Sequence, residues 1–435
     1  MSNGLQLKQL RGLIVGLREA SAAASKTGSG LLEGESDAAE NPAVYVAYAR
    51  AAAILGDWDL AGEALSWAEE ELDFDKFLRR GKQDQQQTQR QPSGEKGQER
   101  ASASMRQFAR HRFDEIKRDA AAIKSFVRRR RNESVTAQLG RLIGCYRRTL
   151  CFGHNRTDAG TTFDSFAPVL KRHFGLESCL VRISTVPGAA TALHASPTDF
   201  ASFDASMRTL ATPAGKVDFG KVFVESGADL PLKLEIGCGT GEWAVAQAAC
   251  DIGKANWIAL ELRYDRVYNT FSRAMFSKGD NVCAAGGDAA YIMAHHFDRC
   301  IDHVYVNYPE PPERASGIGD SEGQHLYTPA FFGTLKACLK EGGAITILTD
   351  NLAYGKSLAL VALAAGFVSI PPRQTAYIDP PTVVSLAESH MGCVRLYEGL
   401  PGPEGGHHET ATSSYFDRMW EGGNKKKRYH LVLQS

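Results

Sequence analysis

The second half of the chain alternates short apolar runs with segments whose apolar residues recur every three or four positions. Runs that are almost uniformly apolar indicate strands of a parallel sheet, and the segments between them indicate helices that cover both of its faces. The predicted strands are LKLEI, NWIALEL, NVCAAGG, DHVYVNY and AITILT, and the predicted helices are EWAVAQAACDI, RVYNTFSRAMFS, AAYIMAHHF, PAFFGTLKACLK and YGKSLALVALAA. We therefore predict a doubly wound α/β domain over residues 230–435, with its ligand at the carboxyl ends of the strands.

The first part of the chain has the spacing of helices instead. Residues 1–80 are predicted to be helical, and Asn41 with Pro42 forms a helix start signal ahead of two Ala-rich helices. Such a pair is typical either of one unit of a tetratricopeptide or pentatricopeptide array or of an ordinary helical hairpin. Because a repeat array needs about three units to bury a continuous core, the sequence leaves both interpretations open.

Two polar stretches and an irregular one connect these parts. Residues 81–104 are of low complexity and poor in apolar residues, which predicts a disordered linker. Residues 105–150 are predicted to be helical and basic, since Met105 to Arg131 contains ten Lys or Arg and three Asp or Glu, a net charge of +7 (10 − 3). This run is either a solvated face or a surface for phosphate groups. Residues 151–229 read as an irregular connecting region.

The composition limits which cellular compartments and which binding partners are expected. The 50 basic residues are balanced by 50 acidic ones, so a nucleic acid would have to be held by a local patch. Nine cysteines without a Cys-x-x-Cys pair favour a reducing intracellular compartment, such as the cytoplasm, the nucleus, a plastid or a mitochondrion. The Ser/Ala-rich N-terminus predicts either an organelle transit segment or a first helix. No apolar run approaches the ~20 residues of a membrane span, so no membrane partner is expected.

The first strand of the α/β domain ends in the glycine-rich stretch LEIGCGTGEW. Gly237, Gly239 and Gly241 allow a sharp turn and a close backbone approach to a ligand, and their place between a strand and a helix strengthens this interpretation. Glu261 ends the second strand about 20 residues later, where a carboxylate can accept ribose hydroxyls. Asp288 follows the third strand and can meet an adenine edge.

These acids select among the adenosine cofactors. With Glu235 just before the glycines and no Lys or Arg in the loop, the site would repel a pyrophosphate. The pattern therefore disfavours NAD, FAD and nucleotides and favours S-adenosylmethionine, whose amino and sulfonium groups Glu235 can face. Adjacent His407 and His408 lack further ligands, so no metal site is predicted.

The order of motifs resembles the tRNA (guanine-N7)-methyltransferases. The stretches LEIGCGTG, ALELR, GGDAAYIM, VNYPEPPER, YTPAFF, LKEGGAITILTDNLAYG and SSYFDR recur in that family's order, from about Leu232 to the C-terminus. The resemblance implies a Rossmann-like class I methyltransferase domain preceded by an α-helical N-terminal extension. It also implies S-adenosylmethionine as cofactor and RNA, most directly tRNA, as substrate, with room for an accessory protein subunit.

The resemblance also assigns roles to single residues. The family's catalytic aspartate corresponds to Glu310, and its cofactor contacts fall on Glu235, Glu261 and Asp288. Substrate contacts fall on Arg314, Asp350, Ser414 and Asp417. Guanine N7 carries no proton, so methyl transfer needs alignment and charge stabilisation rather than a strong base. Glu310, fixed between prolines, can supply both by accepting hydrogen bonds from the guanine edge.

Departures from the family pattern keep other functions open. The catalytic position is Glu rather than Asp, Pro312 replaces a Trp, and the basic run after the motif has become RASGIGDSEGQH. Because cations dominate binding to RNA phosphates, the Arg-rich helix near Arg128 and the tail from Asn424 to His430 must replace them, or the substrate is different. The alternatives are a methyltransferase for another RNA or a protein, and an RNA-binding helical-repeat protein with a vestigial methyltransferase domain.

Overall fold

A computed structural model describes most of the α/β domain and part of the helical region. The described residues are 42–54, 58–73, 95–130, 132–133, 135–152, 207, 209–312, 325–372, 382–384, 394–408, 416–417 and 427–435. Two predicted site residues, Arg314 and Ser414, lie outside them, as does the N-terminal stretch considered as a transit segment. The chain divides into two compact units, Met1–Leu142 with Gly175–Thr198 and Glu421–Gly423, and Ile143–Phe174 with Asp199–Trp420 and Asn424–Ser435.

The first unit contains three described helices. They are α1 (Pro42–Ile54), α2 (Trp58–Glu70) and α3 (Glu95–Arg130), and each contacts the other two. Tyr45 packs edge-on against Trp67, and Trp58 against Phe126, with ring centroids 5.8 and 5.9 Å apart. The described residues of this unit thus contain one helix pair of the predicted kind, packed on a long third helix.

Helix α3 begins earlier than the apolar spacing predicts. It starts at Glu95, so residues 95–104 are helical although the sequence predicts a linker there. These residues are mainly Glu, Lys, Gln, Arg, Ser and Ala, several of them strong helix formers. A helix started by the apolar face around Phe113, Ile123 and Phe126, which are at most 1% exposed, can therefore extend into this polar segment.

The second unit is built on a sheet that has ten strands among the described residues. Its strands are β1 (Thr149–Cys151), β2 (Leu232–Ile236), β3 (Asn256–Glu261), β4 (Val282–Gly286), β5 (Ile301–Asn307), β6 (Leu339–Thr349), β7 (Val368–Ser369), β8 (Thr382–Val384), β9 (Leu396–Glu398) and β10 (Tyr429–Gln434). The helices are α4 (Val135–Arg147, which spans the boundary between units), α5 (Phe219–Val222), α6 (Glu242–Cys250), α7 (Tyr264–Phe276), α8 (Ala289–His296), α9 (Pro329–Cys338) and α10 (Leu352–Ala364).

The sheet has the predicted doubly wound order. Its strands lie in the order β1-β4-β3-β2-β5-β6-β10-β9-β8, with β7 paired to β10. Strands β1 to β6 pair in parallel, whereas β10 runs antiparallel to β6. All five strands and five helices predicted after Leu232 are present, so the α/β fold class is confirmed. Strands β1 and β7 to β10 were not predicted, because most are two or three residues long and find their partners only in the folded sheet.

The strand order reverses between β2 and β5, and this fixes where a ligand can bind. Strand β2 pairs with β3 on one side and β5 on the other, so consecutive crossovers leave in opposite directions. The loops at the carboxyl ends of these two strands therefore diverge and leave a crevice between them. The three strands that border the crevice are held by the core, since Leu234, Val304 and Ile345 are fully buried. No described helix has both the length and the apolar character needed to cross a membrane.

Candidate active site

The glycine loop after β2 forms one wall of the crevice. Gly237, Gly239 and Gly241 have φ of 70°, 57° and 72°, a region that side chains other than glycine rarely adopt. A Cβ on Gly241 would lie 2.3 Å from Oγ1 of Thr270, whereas one on Gly237 or Gly239 would meet no atom within 4 Å. Gly241 is therefore required for packing against α7, while the other two glycines border open space above the strand.

Glu235 is a buried carboxylate directly beneath this loop. It is 3% exposed, and burial raises the pKa of its carboxyl to about 7 against the opposing effect of hydrogen bonds. Oε1 accepts a hydrogen bond from Nδ2 of Asn307 at 2.9 Å, and the buried Oε2 has no hydrogen-bond partner among the described residues. An unpaired buried acceptor is costly, so the geometry suits a cationic or hydrogen-donating group of a ligand at this point.

Glu261 connects the second strand end to the glycine loop. Its Oε2 accepts the amide of Gly239 at 2.9 Å, and its Oε1 accepts the amide of Arg263 at 3.1 Å. Each carboxylate oxygen has a further lone pair, so these bonds orient the side chain and leave acceptors for hydroxyl groups. The structure thus gives Glu261 a role in shaping the loop, and its ribose contact stays a prediction.

Asp288 has a local structural role as well. Its side chain caps α8 by accepting the amide of Tyr291 at 3.0 Å. The residue is partly exposed at the carboxyl end of β4, beside the end of β3, since Glu261 and Gly286 are register partners. The three predicted cofactor acids therefore lie at or next to the carboxyl ends of three adjacent strands.

The turn after β5 carries the predicted catalytic residue. Glu310 is exposed and stands between Pro309 and Pro311. Asn307 and Leu348 are register partners in β5 and β6, which brings Asp350 to the same edge, partly buried just after β6. The structure thus gathers Glu235, Glu310 and Asp350 at the carboxyl ends of three adjacent strands.

Asp417, a predicted substrate contact, is buried and bonded to other side chains of the protein. It is 8% exposed, accepts the hydroxyl of Tyr308 and pairs with Nη1 of Arg428 at 3.1 Å. Its carboxylate is thus engaged by protein groups, and its contact with a substrate stays a prediction. Arg314 and Ser414, the other predicted substrate contacts, lie outside the described residues.

Sequence reasoning missed three residues of this site. Asn307 bonds to Glu235, Tyr308 bonds to Asp417, and Tyr327 is buried near the cofactor acids. Burial raises the pKa of Tyr327, with further contributions from the charges of Tyr354, Glu235 and Glu261. The signal for Asn307 was available, because it is a polar residue at the end of an otherwise apolar strand.

His408, one of the paired histidines near Gly406, is bonded to a buried acid. Nε2 of His408 lies 2.6 Å from Oδ1 of Asp251, which also binds Nζ of Lys233 at 2.9 Å and Nε1 of Trp257 at 2.8 Å. Within the part of the chain that the structure describes, no three Cys, His, Asp or Glu side chains are grouped as metal ligands. This cluster docks the segment around residues 401–408 onto the sheet.

Comparisons with known proteins agree with the motifs. Residues 229–395 match the model of a family described as "Putative methyltransferase". The chain is 30% identical over 129 residues to a tRNA (guanine-N(7)-)-methyltransferase of Chlamydia felis (strain Fe/C-56), covering 29% of this chain and 55% of that protein. It is 29% identical over 125 residues to the enzyme of the same name from Lactococcus lactis subsp. cremoris (strain MG1363), again covering 29% and 55%. The match thus spans about half the length of these curated relatives.

The structural likeness found among solved proteins is weaker. A crystal structure of TrmN from Thermus thermophilus is 17% identical, covers 50% of this chain and 48% of its own, and superimposes with a TM-score of 0.29. A likeness at this level has no bearing on function. The resemblance to the methyltransferase family is confirmed by the sequence matches over the second unit.

Proposed function

We propose that this chain, which resembles the tRNA (guanine-N7)-methyltransferases over its second unit, transfers a methyl group from S-adenosylmethionine to N7 of a guanine in tRNA. The observation that carries the proposal is the placement of Glu235 and Glu310 on neighbouring strands at the switch point of the sheet. One carboxylate is buried beneath the glycine loop and the other is exposed at a proline-flanked turn. The first suits a cationic cofactor and the second suits the donor edge of a purine.

The residues around the glycine loop fit S-adenosylmethionine. Glu235 presents an unpartnered buried oxygen, which would face the amino group or the sulfonium. Glu261 and Asp288 would hold the ribose hydroxyls and the adenine edge, and the open space beside Gly237 and Gly239 admits the ligand. When bound, this cofactor supplies a methyl group on a positively charged sulfur.

The residues of the next two strands would hold the guanine. Glu310 would accept hydrogen bonds from N1–H and the N2 amino group, and its charge would stabilise the positive charge that develops on the purine. Asp350 would clasp the base or its ribose, and Arg314 and Ser414 would contact the substrate as the resemblance implies. No residue need remove a proton, because N7 carries a lone pair and no hydrogen, so the protein's task is alignment.

The tRNA would be held in part by the basic face of α3. Six exposed cations share one side of this helix, since they recur at helical spacing: Arg110, Lys117, Arg118, Lys124, Arg128 and Arg129. The rest of the helix buries apolar residues, among them Ile123 and Phe126 on the far side and Phe113 beneath Nζ of Lys117. Such a stripe matches the charge of a phosphate backbone, and it compensates for the cations missing after Glu310. An accessory protein subunit is a further proposed partner.

The activity is tested by labelled methyl transfer to separate pools of tRNA, rRNA and protein, followed by mapping of N7-methylguanosine. Label in tRNA at a guanine N7 is the expected result. Label only in rRNA or in protein would favour the second reading, a methyltransferase of the same fold with another substrate. If the chain neither transfers label nor binds S-adenosylmethionine by calorimetry, the domain is vestigial and the proposal is wrong.

A further inference from the structure

We infer that Asp417 and Arg428 are positioning residues that hold, through Tyr308, the turn that carries Glu310. We call Tyr308, Asp417 and Arg428 the latch. The inference rests on the proposed function for its effect on catalysis, but the latch itself is a property of the fold. It assigns to Asp417 a role different from the substrate contact that the family resemblance implies.

The backbone at Tyr308 is strained. Its φ is 52°, and among the described residues it alone has a positive φ without being a glycine. A bulky residue in this region is strained and persists only where its surroundings enforce the conformation. The Tyr308 amide donates to the carbonyl of Leu348 at 2.7 Å, so this residue is still bonded to β6. The chain turns away from the sheet after it. Pro309 and Glu310 follow directly, and their direction is therefore set by Tyr308.

The side chain of Tyr308 supplies the enforcing contacts. Its ring is 8% exposed and packs against Phe416 with centroids 5.2 Å apart. Its hydroxyl donates to Oδ1 of Asp417, and burial followed by the Asp417 charge raises the pKa of the Tyr308 hydroxyl, so it stays a donor. Both ends of the ring are thus fixed, which offsets the backbone strain.

Arg428 completes the latch by neutralising the buried acid. Its Nη1 lies 3.1 Å from the same Oδ1, and the two side chains are 22% and 11% exposed. A carboxylate removed from water needs a charged or hydrogen-bonding partner. Arg428 immediately precedes β10, which pairs with β6, and β6 pairs with β5. The latch therefore connects the turn after β5 to β10, two strands away in the sheet.

Three residues at and just after the end of β5 have different contacts. Asn307 binds the cofactor acid Glu235, Tyr308 binds the latch, and Glu310 is exposed for the substrate. A shift of the turn would misplace Glu310 while leaving the glycine loop intact. Loss of the latch should therefore lower kcat rather than weaken cofactor binding.

A double-mutant cycle tests the latch. Tyr308→Phe and Asp417→Ala should each lower kcat for RNA methylation by about 10- to 100-fold, as expected for a misplacement near 1 Å, with S-adenosylmethionine Kd changed less than about threefold. The double variant should be no worse than the poorer single, because Asp417→Ala already removes the hydrogen bond that Tyr308→Phe removes. Asp417→Asn, whose amide oxygen can still accept from Tyr308, should recover much of kcat.

Tyr397→Phe is the matched control. Tyr397 is also a buried tyrosine of the sheet, on β9, and stacks on His430 with centroids 5.5 Å apart. Its loss of a hydroxyl should change neither kcat nor Kd. A wild-type kcat in Tyr308→Phe, additive effects in the double variant, or an Asp417→Ala effect confined to the KM for RNA would each overturn the latch and favour the substrate contact.

Thermal unfolding separates failure of the latch from failure of the proposed function. Asp417→Ala should lower Tm more than Tyr308→Phe, because it also removes the partner of Arg428, and the double variant should lower Tm no further than Asp417→Ala alone, whatever substrate the protein methylates. If wild-type protein labels no RNA, the proposed function fails while the coupled Tm values still establish the latch. Additive Tm shifts would show that Tyr308 and Asp417 act independently, and the inference would then be wrong.

Discussion

Glu235 lies in β2 and Glu310 lies on the turn after the adjacent strand β5, and the two carboxyl groups are in opposite electrostatic surroundings. Glu235 is 3% exposed and its pKa is raised to about 7 by burial, while Glu310 is exposed on a turn. The buried carboxyl of Glu235 can lose its proton when a cationic ligand binds beside it. The exposed carboxylate of Glu310 can accept hydrogen bonds from a nucleobase. Two carboxylates set in different environments for different tasks are a recurring device of active sites.

The role of Glu310 can be tested by truncation. Glu310→Ala should lower kcat by about 100-fold or more, the usual effect of removing one preorganised electrostatic contact, with an unchanged Kd for S-adenosylmethionine. Single-turnover methylation and calorimetry measure the two quantities. Glu310→Asp, which restores the family's residue, is the control and should retain more activity than Glu310→Ala. Full activity in Glu310→Ala would mean that this residue does not touch the base.

The raised pKa of Glu235 predicts a pH-dependent stability. A carboxyl whose folded pKa lies above its ordinary 4.5 keeps its proton in the folded state between about pH 4.5 and 7, so its contribution to stability falls as pH rises through that window. Against wild type, Glu235→Gln should therefore gain up to about 1.4 kcal/mol of unfolding free energy per pH unit there, and no more above pH 7. Thermal unfolding from pH 5 to 8 measures this difference.

The same variant should bind S-adenosylmethionine more weakly. A neutral amide removes the charge that would face the cofactor's cationic groups, so stability and binding should change in opposite directions above pH 7. Calorimetry at pH 7.5 provides the comparison. A flat difference in stability across pH 5–8 would show that the folded pKa is not raised, and unchanged binding would remove Glu235 from the cofactor site.

At the scale of elements, the strand–loop–helix unit from β2 to α6 could be predicted in detail from sequence. Its apolar strand, three glycines and helix each have a local signal, and all appear within a few residues of their predicted bounds. The end of the glycine loop, just before α6, depends on a distant element, because Gly241 approaches Thr270 of α7. That contact could not be read from the glycine itself.

Gly241 should tolerate substitution less well than a glycine of similar conformation. Gly253 has the same φ of 72°, but a Cβ there would meet no atom within 4 Å. Gly253→Ala should cost about 1 kcal/mol for the backbone alone, while Gly241→Ala should cost about 1–3 kcal/mol more through the clash with Thr270. Tm values of the two variants decide this, and equal shifts would mean that α7 moves aside without cost.

At the scale of the whole molecule, neutral net charge conceals an uneven distribution. The 50 basic and 50 acidic residues cancel, yet α3 ends in Arg128, Arg129 and Arg130 and carries further exposed cations along one face. Acids are also near, since Nζ of Lys124 lies 2.6 Å from Oε1 of Glu69. RNA binding by this stripe is therefore tested by how the tRNA affinity depends on salt concentration, and not by the net charge of the protein.

Removal of two charges from the stripe should weaken tRNA binding. Lys117→Gln with Arg128→Gln should raise the tRNA Kd by about tenfold near 0.1 M salt and reduce the slope of log K against log salt by about 1.5. The control is Lys254→Gln with Lys278→Gln, two exposed lysines ahead of β3 and β4, at the opposite end of the strands from the site. Equal effects of both pairs would mean that α3 has no special role.

The sequence by itself determined the α/β alternation, the glycine loop and the three strand-end acids, because each depends on local periodicity or on a residue's place at a strand end. It also supported the family resemblance that the comparisons confirm. The tertiary structure alone decided the five additional strands, the start of α3 and the surroundings of Asp417. Those depend on partners far along the chain, as Tyr308 and Asp417 show at 109 residues apart, and a pattern confined to one segment carries no information about such pairs.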